Sequence, residues 1–309
     1  MKSPRIVFMG TPEFAVASLQ ALVEAGFNIV GVITAPDKPA GRGMKLTESV
    51  VKKYAVEKGL HLLQPEKLKN PEFLETLRNL EADLQIVVAF RMLPEIVWNM
   101  PPMGTINVHG SLLPQYRGAA PINWAVINGE KTTGVTTFKL KHEIDTGDIL
   151  LQEKMDIGEN ETAGEVHDRM KELGASLLVK TVVGLTQGSI QEKPQNFDQA
   201  QLQHAPKIFT DTCQIHWGNT AASVHNLIRG LSPFPGAFTT LDDKTLKVFG
   251  STVELQTTGE KPGTVKTDGQ SYLKYAAADG WVHITSLQLE GKKRMNTADF
   301  LRGYRFKNS

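Results

Sequence analysis

The first half of the chain alternates short apolar runs with amphipathic segments, a pattern typical of strands that alternate with helices. Residues 6–9 are wholly apolar, as expected for a parallel strand buried on both faces. Thr11 and Pro12 are predicted to open the first helix, as its N-cap and first helical residue, and Gly26 to end it. Further strands are predicted at 29–34, 84–89 and 105–108, and helices near 49–58, 71–80 and 162–187. Such alternation favours a doubly wound, mainly parallel sheet.

The pattern changes after residue 187. Residues 188–206 are polar, with five glutamines, two prolines and little periodicity, and are typical of a linker. One helix is predicted at 220–231, and short alternating runs follow at 244–249, 263–266, 272–276 and 281–289. Closely spaced strands separated by Gly and Asp predict a small β-barrel or sandwich. The predicted organisation is a first domain at 1–189, a linker at 190–206 and a second domain at 207–309.

Composition and charge narrow the class of protein. The 309 residues are 40% hydrophobic and 22% charged, with a net charge of +1, so total charge does not demand a nucleic-acid partner. From Lys207 onward there are 13 basic and 9 acidic residues, which fits a polyanion-binding surface about as well as a solvated one. A single cysteine, Cys213, excludes an internal disulfide, and no run approaches the roughly 18 apolar residues of a membrane helix. We therefore expect a cytoplasmic protein.

Two common kinds of cofactor site lack their signatures. Gly10 lies where a dinucleotide-binding protein carries its first glycine, but the second and third glycines are missing, so we predict a tight turn and neither NAD nor FAD. None of the eight histidines has metal-ligand spacing, and no cysteines accompany them, so we predict no zinc or other metal.

The strongest candidate for chemistry is the end of the strand at 105–108. Asn107 and His109 stand two residues apart, so their side chains leave the same face, and Gly110 permits a sharp exit. Ligands of open α/β sheets bind beyond the carboxyl ends of the strands. An amide and an imidazole there can stabilise an oxyanion or transfer a proton, although polar residues that merely end a buried strand give the same pattern.

Two further segments allow a structural and a functional interpretation. Asp145-Thr146-Gly147-Asp148 is by itself a turn in which Asp145 caps backbone N–H groups. The loop at 35–45 carries Lys38, Arg42 and Lys45, which suits a phosphate-rich partner as well as it suits an ordinary solvated loop.

Taken together, these segments resemble the folate-dependent formyltransferases. The resemblance rests on Asn-Val-His-Gly-Ser-Leu-Leu-Pro at 107–114, Tyr-Arg-Gly-Ala-Ala-Pro-Ile at 116–122 and Asp-Thr-Gly-Asp at 145–148. Residues 6–14, 36–45, 228–238 and 286–293 are similar to the methionyl-tRNA formyltransferases within that family. The resemblance covers nearly the whole chain and implies a Rossmann-like catalytic domain followed by an OB-like barrel.

The resemblance implies transfer of formyl from 10-formyltetrahydrofolate, as co-substrate, to the α-amino group of methionyl initiator tRNA. Asn107 and His109 would stabilise the oxyanion, and Asp145 would accept the proton. The turn at Ser111, Leu112, Leu113 and Pro114 would bind folate, and Arg42 and Lys45 would contact the tRNA. We expect a monomer with no membrane and no metal partner.

The chain departs from the family pattern at 90–94, where the segment is one residue shorter and Arg91 replaces a glycine; in the family this loop lines the pterin pocket. Two other functions remain open: formylation of an amino sugar nucleotide, which uses the same catalytic residues, and RNA binding without catalysis. The basic loop and the barrel favour tRNA over the sugar nucleotide, and the catalytic residues disfavour the non-catalytic protein.

Overall fold

The structure is a computed structural model and describes residues 3–40, 45–196 and 201–306. The chain divides into two compact units. The N-terminal unit comprises Met1–Gly118, Gly134–Met155 and His167–Gln203, and the C-terminal unit Ala119–Thr133, Asp156–Val166 and His204–Ser309. Two short segments that precede residue 167 thus group with the C-terminal residues, and the domain boundaries at 189 and 207 stay a prediction.

Among the described residues up to 187, the structure forms ten strands and six helices. The strands are β1 (Arg5–Gly10), β2 (Asn28–Ile33), β3 (Lys38–Ala40), β4 (Lys45–Thr47), β5 (Leu62–Leu63), β6 (Leu84–Val88), β7 (Thr105–His109), β8 (Arg117–Gly118), β9 (Thr132–Lys139) and β10 (Ile149–Asp156). The helices are α1 (Glu13–Glu24), α2 (Val50–Glu57), α3 (Pro71–Asn79), α4 (Glu95–Trp98), α5 (Pro121–Ile127) and α6 (Ala163–Gln187).

A seven-stranded sheet organises the N-terminal unit, in the order β10-β9-β7-β6-β1-β2-β5. The pairs from β5 to β7 are parallel, and β9 runs antiparallel to β7. β1 and β6 are buried almost throughout, as the apolar run of β1 predicts, and β6 buries Gln85 among its apolar residues. The parallel order brings the carboxyl ends of β1, β6 and β7 to one edge of the sheet.

The predicted start of α1 is wrong by one residue. The helix begins at Glu13, and Pro12 occupies the N-cap position with an extended ψ of 178° and no side-chain cap. Thr11 therefore lies outside the helix, one residue too early to cap it. Ser49 and Asn70, in contrast, do cap α2 and α3, because their side chains accept hydrogen bonds from Lys52 N and Glu72 N.

The C-terminal residues form an antiparallel sheet with two helices. The strands are β11 (His204–Ala205), β12 (Ala237–Leu241), β13 (Lys244–Glu254), β14 (Val265–Thr267), β15 (Leu273–Ala276), β16 (Trp281–Leu289) and β17 (Met295–Asn296); the helices are α7 (Ala221–Gly230) and α8 (Thr297–Gly303), with a 3₁₀ turn at Thr210–Cys213. The sheet order is β12-β13-β16-β15-β14, with β17 on β16. Its core includes Tyr275, which is 1% exposed and stacks on Trp217 with ring centroids 4.3 Å apart.

The long pair β13 and β16 shifts register around Gly250, as expected where a strand bends within a curled sheet. A Cβ at Gly250 would lie 2.6 Å from Oγ1 of Thr285, so the strands approach closely there. A Rossmann-like, mainly parallel sheet followed by an OB-like, curled antiparallel sheet confirms the predicted fold class. None of the described helices is both long and apolar enough to cross a membrane.

Candidate active site

The end of β7 carries Asn107 and His109 on one face of the strand. His109 is buried at 7% exposure, and its ring meets that of Phe138 edge-on with centroids 6.4 Å apart. Asn107 is half-buried, and its Oδ1 atom is buried without a hydrogen-bond partner among the described residues. Because buried polar atoms in proteins are normally hydrogen-bonded, this oxygen is available to accept a hydrogen bond from a ligand.

The two ring nitrogens of His109 face different groups. Nε2 lies 2.9 Å from the carbonyl oxygen of Tyr116, and Nδ1 lies 3.8 Å from Oδ2 of Asp145. A carbonyl oxygen can only accept a hydrogen bond, so Nε2 is protonated and donates a hydrogen bond to Tyr116 O. The atom that can gain or lose a proton is therefore Nδ1, which faces the carboxylate.

Asp145 reaches His109 from the loop between β9 and β10. Its side chain is 11% exposed, and Oδ2 also accepts a hydrogen bond of 3.0 Å from the amide of Gly118. The structure thus joins three segments that the sequence analysis singled out separately. The carboxylate does cap a backbone N–H group, but that group lies in the segment after His109 rather than in the turn of Asp145 itself.

The backbone of the Asp145 loop is tightly constrained. Asp145 has a φ of 55°, in the left-handed region that Asp tolerates better than most residues. At Gly147 an added Cβ would lie 1.6 Å from the carbonyl oxygen of Lys139, a distance that no side chain could occupy. This close backbone approach therefore requires the glycine of the Asp-Thr-Gly-Asp motif. The same contact constrains the backbone of the turn that carries Asp145.

Thr136 and Gln152 form hydrogen bonds with the backbone of the turn at 111–114. The Thr136 hydroxyl donates to Ser111 O at 2.7 Å and accepts from Leu113 N at 3.0 Å and from Gln152 Nε2 at 2.9 Å. Gln152 also donates to Leu113 O at 2.9 Å. These bonds fix the shape of the turn, while the folate contacts of Ser111, Leu112, Leu113 and Pro114 stay a prediction.

The divergent loop at 90–94 has a defined conformation. The guanidinium of Arg91 donates to Glu66 O at 2.8 Å and to Pro65 O, and it lies 5.5 Å from the centre of the Phe90 ring. Partial burial lowers the pKa of this guanidinium. A surface depression of about 350 Å³ adjoins the loop, lined by Leu68, Lys69, Arg91, Met92, Leu93 and Pro94.

The glycine at the end of β1 has a packing role. A Cβ at Gly10 would lie 2.5 Å from Cβ of Ala15 and 3.0 Å from Val88 O, so the glycine lets α1 approach the sheet.

In the described parts of the chain, no three His, Cys, Asp or Glu side chains converge as the ligands of a metal ion would.

The predicted RNA-contacting loop is described only at its base. Arg42 lies outside the described residues, and Lys45 begins β4. Lys52 forms ion pairs with Asp37 and Glu48, and its hydrogen bond with Asp37 lowers the pKa of that carboxyl group. Gln64 also donates to Asp37 at 2.9 Å. Asp37, near the start of the loop, is thus anchored to α2.

Cations lie over aromatic rings in the C-terminal unit. Nζ of Lys274 and Lys266 are 4.7 and 5.1 Å from the centre of the Trp281 ring, and the Arg294 guanidinium is 4.5 Å from that of Phe249. Glu254 partly neutralises the first group, because it forms an ion pair of 3.1 Å with Lys274. Both rings are buried, with Trp281 5% and Phe249 6% exposed, so these cations cover rings that bases could not stack on.

Several residues of this site carry no recognisable signal in the sequence. Tyr116 and Gly118 contribute backbone atoms, which carry no residue-type signal, and Thr136 and Gln152 lie in β9 and β10, two strands that were not predicted from the sequence. Alternation within those strands could have placed Thr136 on one face, but only the strand order brings it under the turn.

Comparison with known proteins identifies the family. The family model described as "Formyl transferase" matches residues 4–182, and "Formyl transferase, C-terminal domain" matches residues 207–305. Methionyl-tRNA formyltransferase of Parabacteroides distasonis is 55% identical over 97% of this chain and 96% of its own length. The enzyme of the same name from Bacteroides fragilis is 53% identical over 97% of this chain and 95% of its own length.

A solved structure of low sequence identity shows the same fold. It is WlaRD, a sugar 3N-formyl transferase determined in the presence of dTDP and 5-N-formyl-THF, with a TM-score of 0.70 and 21% identity. It covers 95% of this chain and 100% of its own. The chain therefore belongs to the formyl transferase family, within its methionyl-tRNA formyltransferase group.

Proposed function

We propose that the protein transfers the formyl group of 10-formyltetrahydrofolate to the α-amino group of methionine on charged initiator tRNA. The observation that carries the chemistry is the convergence of a buried imidazole and a carboxylate, His109 and Asp145, beside Asn107 on the same face of β7. The choice of acceptor is supported by relatives that share more than half of their residues with nearly the whole chain.

The first step is attack of the neutral amine on the formyl carbon. A C–N bond forms, the formyl oxygen becomes an oxyanion, and the attacking nitrogen must lose a proton. Asp145 takes that proton, directly or through Nδ1 of His109, because Nε2 is committed to Tyr116 O. The oxyanion then re-forms the C=O bond, the bond from carbon to N10 breaks, and the proton taken from the amine passes to N10 as tetrahydrofolate leaves.

Stabilisation of the oxyanion falls to Asn107 and His109. The amide of Asn107 supplies a neutral N–H donor, and His109 supplies a charged donor once Nδ1 is protonated. Donors aimed at developing charge in a site of low exposure are usually the largest single contribution to such reactions. The chemistry calls for neither a metal nor a covalent intermediate with the protein.

The remaining roles follow the same proposal. The turn at 111–114 binds the folate, and its fixed backbone gives that site its shape. Arg42 and Lys45 contact the acceptor end of the tRNA, and the basic C-terminal residues contact its phosphates. Monomeric state and cytoplasmic location stay predictions.

A formyl-transfer assay with three acceptors tests the proposal. The purified protein is incubated with 10-formyltetrahydrofolate and charged initiator tRNA, the same tRNA uncharged, or a nucleotide-linked amino sugar. We expect formyl on the charged tRNA alone. Transfer to the amino sugar nucleotide alone supports the sugar function, and tRNA binding without any transfer supports the non-catalytic one.

A further inference from the structure

Residues 190–196, which the sequence pattern assigns to a linker, are attached to the sheet edge beside Asp145. Ile149 and Lys193 exchange two backbone hydrogen bonds, of 2.8 and 2.9 Å, at the start of β10. Glu192 forms an ion pair of 2.5 Å with Lys139 at the end of β9. The segment therefore runs along both strands that flank the Asp145 loop.

Gln195 uses its whole amide to join two parts of the site. Its Nε2 donates to the carbonyl oxygens of Asp145 and Gly147 at 2.9 and 2.8 Å. Its Oε1 accepts from Nε and Nη2 of Arg117 at 3.2 and 2.7 Å. Carbonyl oxygens only accept and guanidinium groups only donate, so the orientation of this amide is fixed by its partners.

The two parts that Gln195 joins are those that hold the catalytic pair. Arg117 lies between Tyr116, whose carbonyl binds His109, and Gly118, whose amide binds Asp145. Burial lowers the pKa of the Arg117 guanidinium, while Asp145 and Glu143 oppose that shift. The Gln195 amide gives the half-buried Arg117 cation a neutral acceptor, and the Asp145 carboxylate faces His109.

We propose that Gln195 is a positioning residue for Asp145: its amide locks the backbone of the Asp145–Gly147 turn against Arg117 and so sets the distance from the carboxylate to His109. The inference rests on the proposed function, since it assigns the residue to formyl transfer. A displacement of about 1 Å in a catalytic group can cost about 100-fold in rate.

Three variants separate this role from a merely structural one. Gln195→Met keeps the length of the side chain but removes all four hydrogen bonds. Gln195→Glu keeps an acceptor for Arg117. Its second carboxyl oxygen faces the carbonyl oxygens of Asp145 and Gly147, and it can donate a hydrogen bond to them only when it is protonated. Gln191→Met is the matched control, because Gln191 is exposed in the same segment and its side chain makes no hydrogen bond with another described residue.

Steady-state formyl transfer gives the first readout. We expect Gln195→Met to lower kcat by about 10- to 100-fold with both KM values within about twofold of wild type. The ratio of kcat for Gln195→Glu to wild type should rise as the pH falls and the new carboxyl group becomes a donor, whereas the ratio for Gln195→Met should stay flat. Equal kcat for Gln195→Met and Gln191→Met, or a loss confined to KM, overturns the inference.

Hydrogen exchange gives a second readout that does not depend on the acceptor. Peptides that span residues 140–150 should exchange faster in Gln195→Met than in wild type and Gln191→Met. If the wild type formylates no acceptor, the proposed function fails, and exchange alone then decides whether Gln195 holds the turn. Unchanged exchange in Gln195→Met overturns that positioning.

Discussion

The Oδ2 atom of Asp145 lies 3.8 Å from Nδ1 of His109 and 3.0 Å from the amide of Gly118. The carboxylate is thus held by a neutral backbone donor on one side and faces Nδ1 of the imidazole on the other. The opposite nitrogen of His109 is bound to a carbonyl oxygen. In the proposed mechanism this carboxylate takes the proton of the attacking amine, directly or through Nδ1 of His109.

Removal of either proposed oxyanion donor should slow the reaction strongly. We expect Asn107→Ala and His109→Ala each to lower kcat by at least about 100- to 1000-fold, because loss of one donor in such sites has that effect. Formyl transfer to charged initiator tRNA at saturating substrates measures it. Near-normal turnover in either variant removes that residue from the mechanism.

Gly147→Ala should disrupt the Asp145 loop. The new methyl group would overlap the Lys139 carbonyl, so the backbone must move, at a cost of about 3 kcal/mol or more. Thermal unfolding together with activity measures the effect. Gly218→Ala is the control, because a Cβ there meets nothing within 4 Å, and an equally small effect in both variants contradicts the steric account.

Thr136→Val should weaken folate binding through the turn at 111–114. The variant keeps the shape of the buried side chain but leaves Ser111 O and Leu113 N without their partner, at about 1–3 kcal/mol each. We expect KM for the folate to rise several-fold while KM for tRNA is unchanged. Thr181→Val, also fully buried but not bonded to the turn, should leave both KM values unchanged. Equal folate KM values in the two variants contradict the prediction.

His225 should make the C-terminal residues less stable in mild acid. Burial, followed by the charge of Arg229, lowers the pKa of His225 below its usual 6.5. The unfolded chain therefore binds this proton first, so its contribution to stability is full above pH 6.5 and is lost as the pH falls toward the lower folded value. Chemical unfolding at several pH values should show a shallower acid loss in His225→Gln than in wild type. Identical slopes contradict this assignment.

Binding of tRNA should depend steeply on salt. If lysines and arginines neutralise phosphates, the logarithm of the association constant falls linearly with the logarithm of salt concentration. Arg42→Ala should weaken binding and reduce that slope by about one, whereas Arg78→Ala, an exposed arginine on α3, should not. An affinity indifferent to salt contradicts the proposed phosphate contacts.

The sequence predicted the parts of the site better than their arrangement. Asn107 and His109 were predicted because two polar residues, two positions apart, end an apolar strand. The parallel sheet was predicted from the alternation of strand and helix patterns. Gln195 was invisible, because its partners lie far along the chain and a polar segment without periodicity looks like a linker. A helix was missed at α8, although Asn296 caps it and accepts from Asp299 N, since only seven residues leave too short a period.

The single-turnover rate of Asp145→Asn tests the central claim most directly. The asparagine oxygen can still accept the hydrogen bond from Gly118, so the turn keeps its geometry, but the amide cannot take a proton. We expect the rate of formyl transfer to fall further than in Asn107→Ala or His109→Ala, with folate and tRNA affinities within a few-fold of wild type. A rate close to that of the wild type, with binding intact, would contradict the role of this carboxylate and the mechanism built on it.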